Sequence, residues 1–379
     1  MIRFATIGTS AITATFTDML EANAETTFVG TLSRSAERAR SFTEEHLGTT
    51  PFTSLDELAD SDAVDAVYIA SPNALHHEQA LACIRGGKHV LIEKPFCSTE
   101  NEALEVFRAA EAANVVALEA MRPLHDRAFW AIEDALGELG PIHRASLRFG
   151  KYSSRYDEIL AGRSTNVFDC GLASGALMDI GVYTVEPMVE MFGMPQPLTS
   201  ASSLLHSATQ GLTHGPIDGA GTILAGYGPA IAEASYSKVT NDLMPSQIEG
   251  EQATLTVNSI ATPTHASIAY RRAAESGDTV GYSGISTSVT ELDLPLCSNT
   301  MAYELADFVK TINAVEDESA KLSEIWEAQT NERRVLGHYR DVTLISLRIM
   351  DAVRAQAGIA FPADNQTGAP SATPDTPQD

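Results

Sequence analysis

Apolar runs separated by segments of helical periodicity organise the first third of the chain. Ile2 to Ile7, Thr27 to Leu32, Ala66 to Ala70, Val90 to Ile92 and Val115 to Glu119 read as buried strands. Helical spacing follows Ile7 as far as Ala24, then accompanies Arg38 and Arg40, and recurs over Leu55 to Ala59, Glu78 to Gly86 and Thr99 to Ala113. Strands that alternate with helices predict an α/β domain, a parallel doubly wound sheet whose ligands lie at the carboxyl ends of its strands. Pro123, directly after Arg122, marks the end of this domain at residues 1–122.

The pattern changes at His143. Ala145, Leu147 and Phe149 alternate with Arg144, Ser146 and Arg148, the signature of a half-buried strand. Gly221 to Tyr227 and Ala230 to Ser237 flank a Gly228-Pro229 turn, and Gln247 to Gly250, Ala253 to Val257 and Val289 to Leu294 follow. Strands joined in succession predict an α+β second domain, residues 123–362, with a largely antiparallel sheet. A helix precedes most of them: Leu177, Ile180, Thr184, Met188 and Met191 share one face, while Asp179 and Tyr183 are neighbours on another. Pro187 cannot donate to the Tyr183 carbonyl, so this helix is predicted to kink or loosen near the tyrosine. Leu305, Phe308, Val309 and Ile312 mark a further helix, and Val342, Ile345, Ile349, Ala352 and Val353 a last one, closed by Gly358 and Pro362, with room to pack back on the first domain. Residues 363–379, rich in Pro, Thr, Ala and Gly, are expected to be a disordered tail.

Composition narrows the function. Twenty-five basic residues against 50 acidic ones give a net charge of -25, which repels nucleic acid and anionic lipid and suits a metabolic protein in the cytoplasm. Cys83, Cys97, Cys170 and Cys297 are widely spaced and show no C-x-x-C pair, so neither a metal site nor a disulfide framework is indicated. No apolar stretch reaches membrane-spanning length.

Polar chemistry collects where strands end. Gly8-Thr9-Ser10-Ala11-Ile12-Thr13 stands at the first strand-to-helix turn, where a dinucleotide fingerprint belongs, with only the first glycine retained. The second strand stops at Ser33-Arg34-Ser35, with Arg38 beyond and no acidic residue to accept a ribose 2'-hydroxyl, which favours NADP over NAD. Ser71-Pro72-Asn73 with His76 ends the third strand. Glu93-Lys94-Pro95 ends the fourth, and a charged pair beside apolar packing is either a strand end reaching water or a proton-handling group.

Taken in order, Gly8, Pro72-Asn73 with His76, Glu93-Lys94-Pro95, and Gly175-Ala176-Leu177-Met178-Asp179-Ile180-Gly181 with Tyr183 resemble the glucose-fructose oxidoreductase, inositol dehydrogenase and MocA family over most of the chain up to Pro362. Tyrosine at 183, where many members carry histidine, resembles the branch of dimeric dihydrodiol dehydrogenase, whose members use NADP, and so does the run Lys151 to Asp157. The resemblance implies a Rossmann domain and a nicotinamide cofactor held by the residues at the strand ends, Glu93, Lys94 and Arg122 among them. It implies that Lys94 and Tyr183 serve catalysis, that Asp179 holds a substrate hydroxyl, and that His76 lines the same pocket. Arg155 and Tyr156 are expected at its mouth, and the oligomer is expected to be a homodimer or homotetramer through the second sheet. The expected activity is hydride transfer between NADP and a polyol, an aldose sugar or a vicinal diol. A glycosidase using transient redox, a cofactor-binding regulator and a scaffolding protein are the alternatives.

Overall fold

A computed structural model of the chain describes residues 1–271, 287–317 and 324–365. Strands β1 (Ile2–Ile7), β2 (Thr26–Leu32), β3 (Ala66–Ile69), β4 (His89–Glu93) and β5 (Ala117–Ala120) form one sheet in the order β2-β1-β3-β4-β5. Every pairing is parallel, as strands that are apolar on both faces require. The expected strands and helices of this region are all present, their ends displaced by a few residues where caps decide them: the first helix, for example, is Ala11–Ala22. Phe16 on that helix stacks on Tyr68 of β3 with ring centroids 3.8 Å apart, and Phe4 of β1 meets Phe308 at 6.0 Å. Phe308 belongs to the helix Met301–Glu316, so the far end of the chain covers this sheet.

The second sheet holds β6 (Ile142–Gly150), β7 (Leu198–Leu204), β8 (Asp218–Tyr227), β9 (Ala230–Ser237), β10 (Ser246–Gly250), β11 (Ala253–Val257), β12 (Ala266–Arg271) and β13 (Thr287–Glu291). Their order is β13-β12-β11-β10-β6-β9-β8-β7, antiparallel except for the parallel pair β6–β9. Parallel neighbours need a long crossover. Residues 151–229 supply it, and they carry the helix with Asp179 and Tyr183. Strands β7 and β12 escape the hydrophobic pattern: Leu198–Leu204 is mostly Ser, Thr and Ala, with only its end leucines bulky.

Gly175, at φ 111°, turns the chain into that helix, and Asp218 caps its start by accepting from the backbone N–H of Ala176 at 3.1 Å and of Leu177 at 2.8 Å. The α-helix Val182–Phe192 runs through Tyr183 and Pro187, where the loosening is expected, and a π-helical turn stands instead ahead of it at Leu177–Gly181. Wider turns of this kind recur at functional sites, and here the turn contains Asp179.

The last helix, Leu336–Ala357, runs against the first domain's helix Glu100–Ala113: the Glu100 N–H donates to Asp351 at 2.9 Å, and Thr343 Oγ1 donates to Glu119 of β5 at 2.6 Å. Residues 363–365 depart from the expected tail, because Pro362–Asn365 form a 3-10 turn held by the Arg354–Asp364 ion pair at 2.7 Å. Residues 366–379 of that tail lie outside the described residues. Among the described residues no helix is long and apolar enough to cross a membrane.

Candidate active site at the junction of two cavities

The carboxyl ends of β1, β2 and β3 open on a groove of about 1080 Å³. Gly8, Thr9, Ser10, Ser33, Arg34, Arg38, Ser71 and Asn73 all line it, as their positions at strand ends predict. Gly8 has φ 115°, and a Cβ there would stand 2.8 Å from the Ala70 carbonyl oxygen, so only glycine lets β1 turn this closely past β3. Ser10 caps the helix Ala11–Ala22 by accepting from the Thr13 N–H at 3.5 Å, and Ala11 and Ile12 form its first turn. A helix N-terminus of free amides beside a glycine turn is a cradle for a pyrophosphate. Serine and threonine in place of two fingerprint glycines leave that cradle intact, since each packs within the turn through the Ser10–Thr13 hydroxyl contact of 3.1 Å. The residues present fit a dinucleotide.

A second cavity, of about 550 Å³, adjoins the end of β4. Lys94, Arg122, Lys151, Asp179, Tyr183 and Lys238 line it, and Asp179 lines the groove as well. The Lys94 ammonium donates to the Asp179 carbonyl at 2.7 Å and to its carboxylate at 3.0 Å, and lies 4.9 Å from the centre of the Tyr183 ring. Phe149 of β6 meets the same ring edge-on at 5.6 Å, and the Arg122 guanidinium lies beside the phenol. The three residues named by the resemblance are therefore brought together, with Lys94 between the other two.

Glu93 stands behind this wall. It accepts from the Tyr68 hydroxyl and, at 3.2 Å, from the backbone N–H of Lys94, so it fixes the loop and leaves the lysine side chain to Asp179. Beneath the loop, Glu119 accepts from the Phe96 N–H at 2.7 Å. Burial pushes the Glu119 carboxyl up to about 7, and that of its partner Glu186 well above the usual range.

Four expectations change. His76 is fully buried and lines no cavity wall; its ring nitrogens face the carbonyls of Ser71 at 2.9 Å and Pro95 at 3.1 Å, clasping two strand-end loops together. Burial drives it towards the neutral form, which has one N–H to donate. Arg122 lies on the smaller cavity, since its turn of chain carries it past β5 to Tyr183. Arg155 lines the groove, while Tyr156 turns into an apolar cluster against Phe168, with ring centroids 6.0 Å apart. Tyr152, Ser153 and Ser154 take the expected place on the smaller cavity.

Lys238 was missed. It follows β9, and its ammonium donates to the second carboxylate oxygen of Asp179. Burial, with the ammonium groups of Lys94 and Lys151 beside it, holds Lys238 down to about 8 against the pull of that carboxylate. The signal that singles out Lys94, a charged residue at the end of an apolar strand, applies equally to Lys238.

A Rossmann sheet whose groove fits a dinucleotide, joined to a largely antiparallel sheet, is the frame of a dinucleotide-dependent oxidoreductase. Residues 2–120 match the family described as "Oxidoreductase family, NAD-binding Rossmann fold", GFO_IDH_MocA. The chain is 36% identical over 364 residues to scyllo-inositol 2-dehydrogenase (NADP(+)) IolU of Bacillus subtilis, covering 96% of this chain and 99% of that one. It is 29% identical over 365 residues to the uncharacterised oxidoreductase YgjR of Escherichia coli, again covering 96% and 99%. KijD10, a 3-ketoreductase from Actinomadura kijaniata solved with NADP and TDP-benzene, shares the fold with a TM-score of 0.74 at 23% identity, over 94% of this chain and 97% of that one. The chain belongs to the Gfo/Idh/MocA oxidoreductase family, as its Glu93-Lys94-Pro95 and Gly175 to Tyr183 segments suggest, and it is an NAD(P)-dependent dehydrogenase or reductase.

Proposed function

We propose that the chain transfers hydride between NADP and a CH–OH group of a polyol, an aldose or a vicinal diol, with Lys94, Asp179 and Tyr183 around the reacting oxygen. The observation that carries this reading is the convergence of an ammonium, a carboxylate and a phenol on one cavity that meets the dinucleotide groove at Asp179. Ser33, Arg34 and Arg38 at the groove, with serine and arginine where an acid would bind a ribose 2'-hydroxyl, support NADP as the preferred nucleotide. The NADP(+)-dependent relative supports it too.

When bound, the nicotinamide supplies or accepts the hydride. The chain's own residues handle the proton and the charge. Asp179 accepts a hydrogen bond from a substrate hydroxyl and so orients the reacting carbon. Lys94 donates to the reacting oxygen and stabilises negative charge as the proton leaves. Tyr183 exchanges that proton at its phenolic oxygen, with Lys94 and Arg122 on either side. His76 and Glu93 hold the loops that aim Lys94 without touching substrate.

The test begins with fluorescence titrations of NADPH and NADH, then a dehydrogenation screen over inositols, aldoses and trans-diols. Preference for NADPH and NADP-dependent turnover of a CH–OH compound are expected. A clear NADH preference sinks the reading of Arg34; glycoside cleavage without net NADPH formation, or binding without turnover, sinks the dehydrogenase. The exposed Leu224, Ile231 and Val289 share the outer face of the second sheet and support assembly into dimers or tetramers, which sedimentation would test.

A further inference from the structure

The smaller cavity inverts the charge of the molecule that contains it. The chain carries a net charge of -25, yet the ionisable side chains on this wall are Lys94, Arg122, Lys151 and Lys238 against a single carboxylate, Asp179, and the phenols of Tyr152 and Tyr183. Asp179 is already committed, with Lys94 on one oxygen and Lys238 on the other. Arg122 has Glu93 and Glu304 behind it and Tyr183 beside it. That leaves the positive charge of two lysines unanswered. Lys238, with only 11% of its side chain exposed, shares its one carboxylate with Lys94, which is 12% exposed. Lys151 lines the cavity, is exposed, and makes no ion pair among the described residues.

Like charges gathered in a partly desolvated wall cost free energy until an anion answers them. A neutral polyol needs hydrogen bonds and no such excess of cations. We propose that the substrate carries an anionic substituent, a carboxylate or a phosphate ester, held between Lys151 and Lys238 while its CH–OH group meets Lys94, Asp179 and Tyr183. The anion site stands on the charges of the wall, and only the placing of the CH–OH group rests on the dehydrogenase reading. A cavity of about 550 Å³ accommodates a hexose-sized ring together with such a group. The depressed Lys238 is consistent with it, since an anion there would relieve the repulsion from Lys94 and Lys151.

The experiment pairs each acidic probe with its neutral parent: D-glucuronate and D-glucose 6-phosphate against D-glucose, and D-galacturonate against D-galactose, with scyllo-inositol as a further neutral probe. Turnover with NADP is measured alongside calorimetric binding to the NADP-loaded protein. An acidic probe is expected to exceed its parent by about tenfold or more in kcat/KM and in affinity, and added salt should shrink the margin. Lys151→Met should cut the acid-to-neutral ratio by roughly tenfold with the fold intact, and Lys151→Arg should restore most of it. The uronates and the phosphate ester distinguish the two anions. Turnover or binding that favours the neutral parents, or a ratio unmoved by Lys151→Met, overturns the anion site and leaves the dehydrogenase standing. Tighter binding of acidic probes with no turnover of any probe keeps the anion site and removes the placing of a CH–OH group at Lys94, Asp179 and Tyr183.

Discussion

The groove and the cationic cavity share Asp179, but they are built by opposite means. The groove is made mostly from strand ends and the turns after them, 7–10, 32–38, 53–55 and 70–79, with Arg155, Asn166, Val167, Ser174 and Asp179 on its far side, and its surface is largely turn backbone with short hydroxyl side chains and three arginines. The cavity is made from long charged side chains that arrive from positions 94, 122, 151, 179, 183 and 238. The floor of the groove is a property of a local turn repeated at each strand; the cavity exists only after a crossover has laid a second-domain helix against the end of β4. A backbone-lined groove should therefore respond to substitution through shape and stability, and the cavity through charge and rate.

The largest expected effect is on the cavity side. In the proposed mechanism Lys94→Met removes the donor to the reacting oxygen and should lower kcat roughly a hundredfold to ten-thousandfold. Because Lys94 lines the cavity and not the groove, NADPH affinity by titration should move far less. Tyr183→Phe should lower kcat more than it changes KM. Near-normal turnover of the identified substrate by Lys94→Met would remove the proposed division of labour.

The same contrast explains what could be read from sequence. Gly8, Ser33, Arg34, Ser71 and Asn73 were legible because a doubly wound sheet puts each strand end on one rim whatever the distant chain does. Lys94, Asp179 and Tyr183 became a set only through resemblance to a family, since their meeting depends on tertiary packing. His76 shows the limit: a polar residue at the right strand end was expected to face ligand, but two buried carbonyls claimed its ring. Lys238 shows the converse. Its partner Asp179 is 59 positions away, and no local period points from one to the other. Strand β7 was invisible because serine and alanine give its exposed alternation no apolar signal.

On the groove side, Gly8→Ala forces a side chain into φ 115° and against the Ala70 carbonyl. It should cost about 1–3 kcal/mol of unfolding free energy in urea titrations, with weaker NADPH binding as the turn opens. Wild-type stability in this variant would mean that β1 and β3 have room to part. Arg34→Ala is a smaller, purely ligand-side change: NADPH affinity should drop about tenfold and NADH affinity hardly at all. An equal loss for both nucleotides would show that Arg34 does not distinguish them.

The smallest effect lies beneath the cavity, where burial favours the neutral form of two carboxyl groups. Glu119 and Glu186 lie together under the loop that carries Lys94, and burial holds Glu119 up at about 7 against an ordinary 4.5. The folded chain therefore binds a proton that the unfolded chain has released across this interval. Its contribution to stability is complete below about pH 4.5, declines as pH rises and is lost as pH passes about 7. One linked proton changes the slope by at most about 1.4 kcal/mol per pH unit. Glu119→Gln keeps the shape and the acceptor for the Phe96 N–H and cannot ionise. Urea midpoints measured from pH 5 to pH 8 should fall less steeply for this variant than for the parent chain. Parallel curves would place the linked proton on Glu186 and show that Glu119 does not titrate across this range.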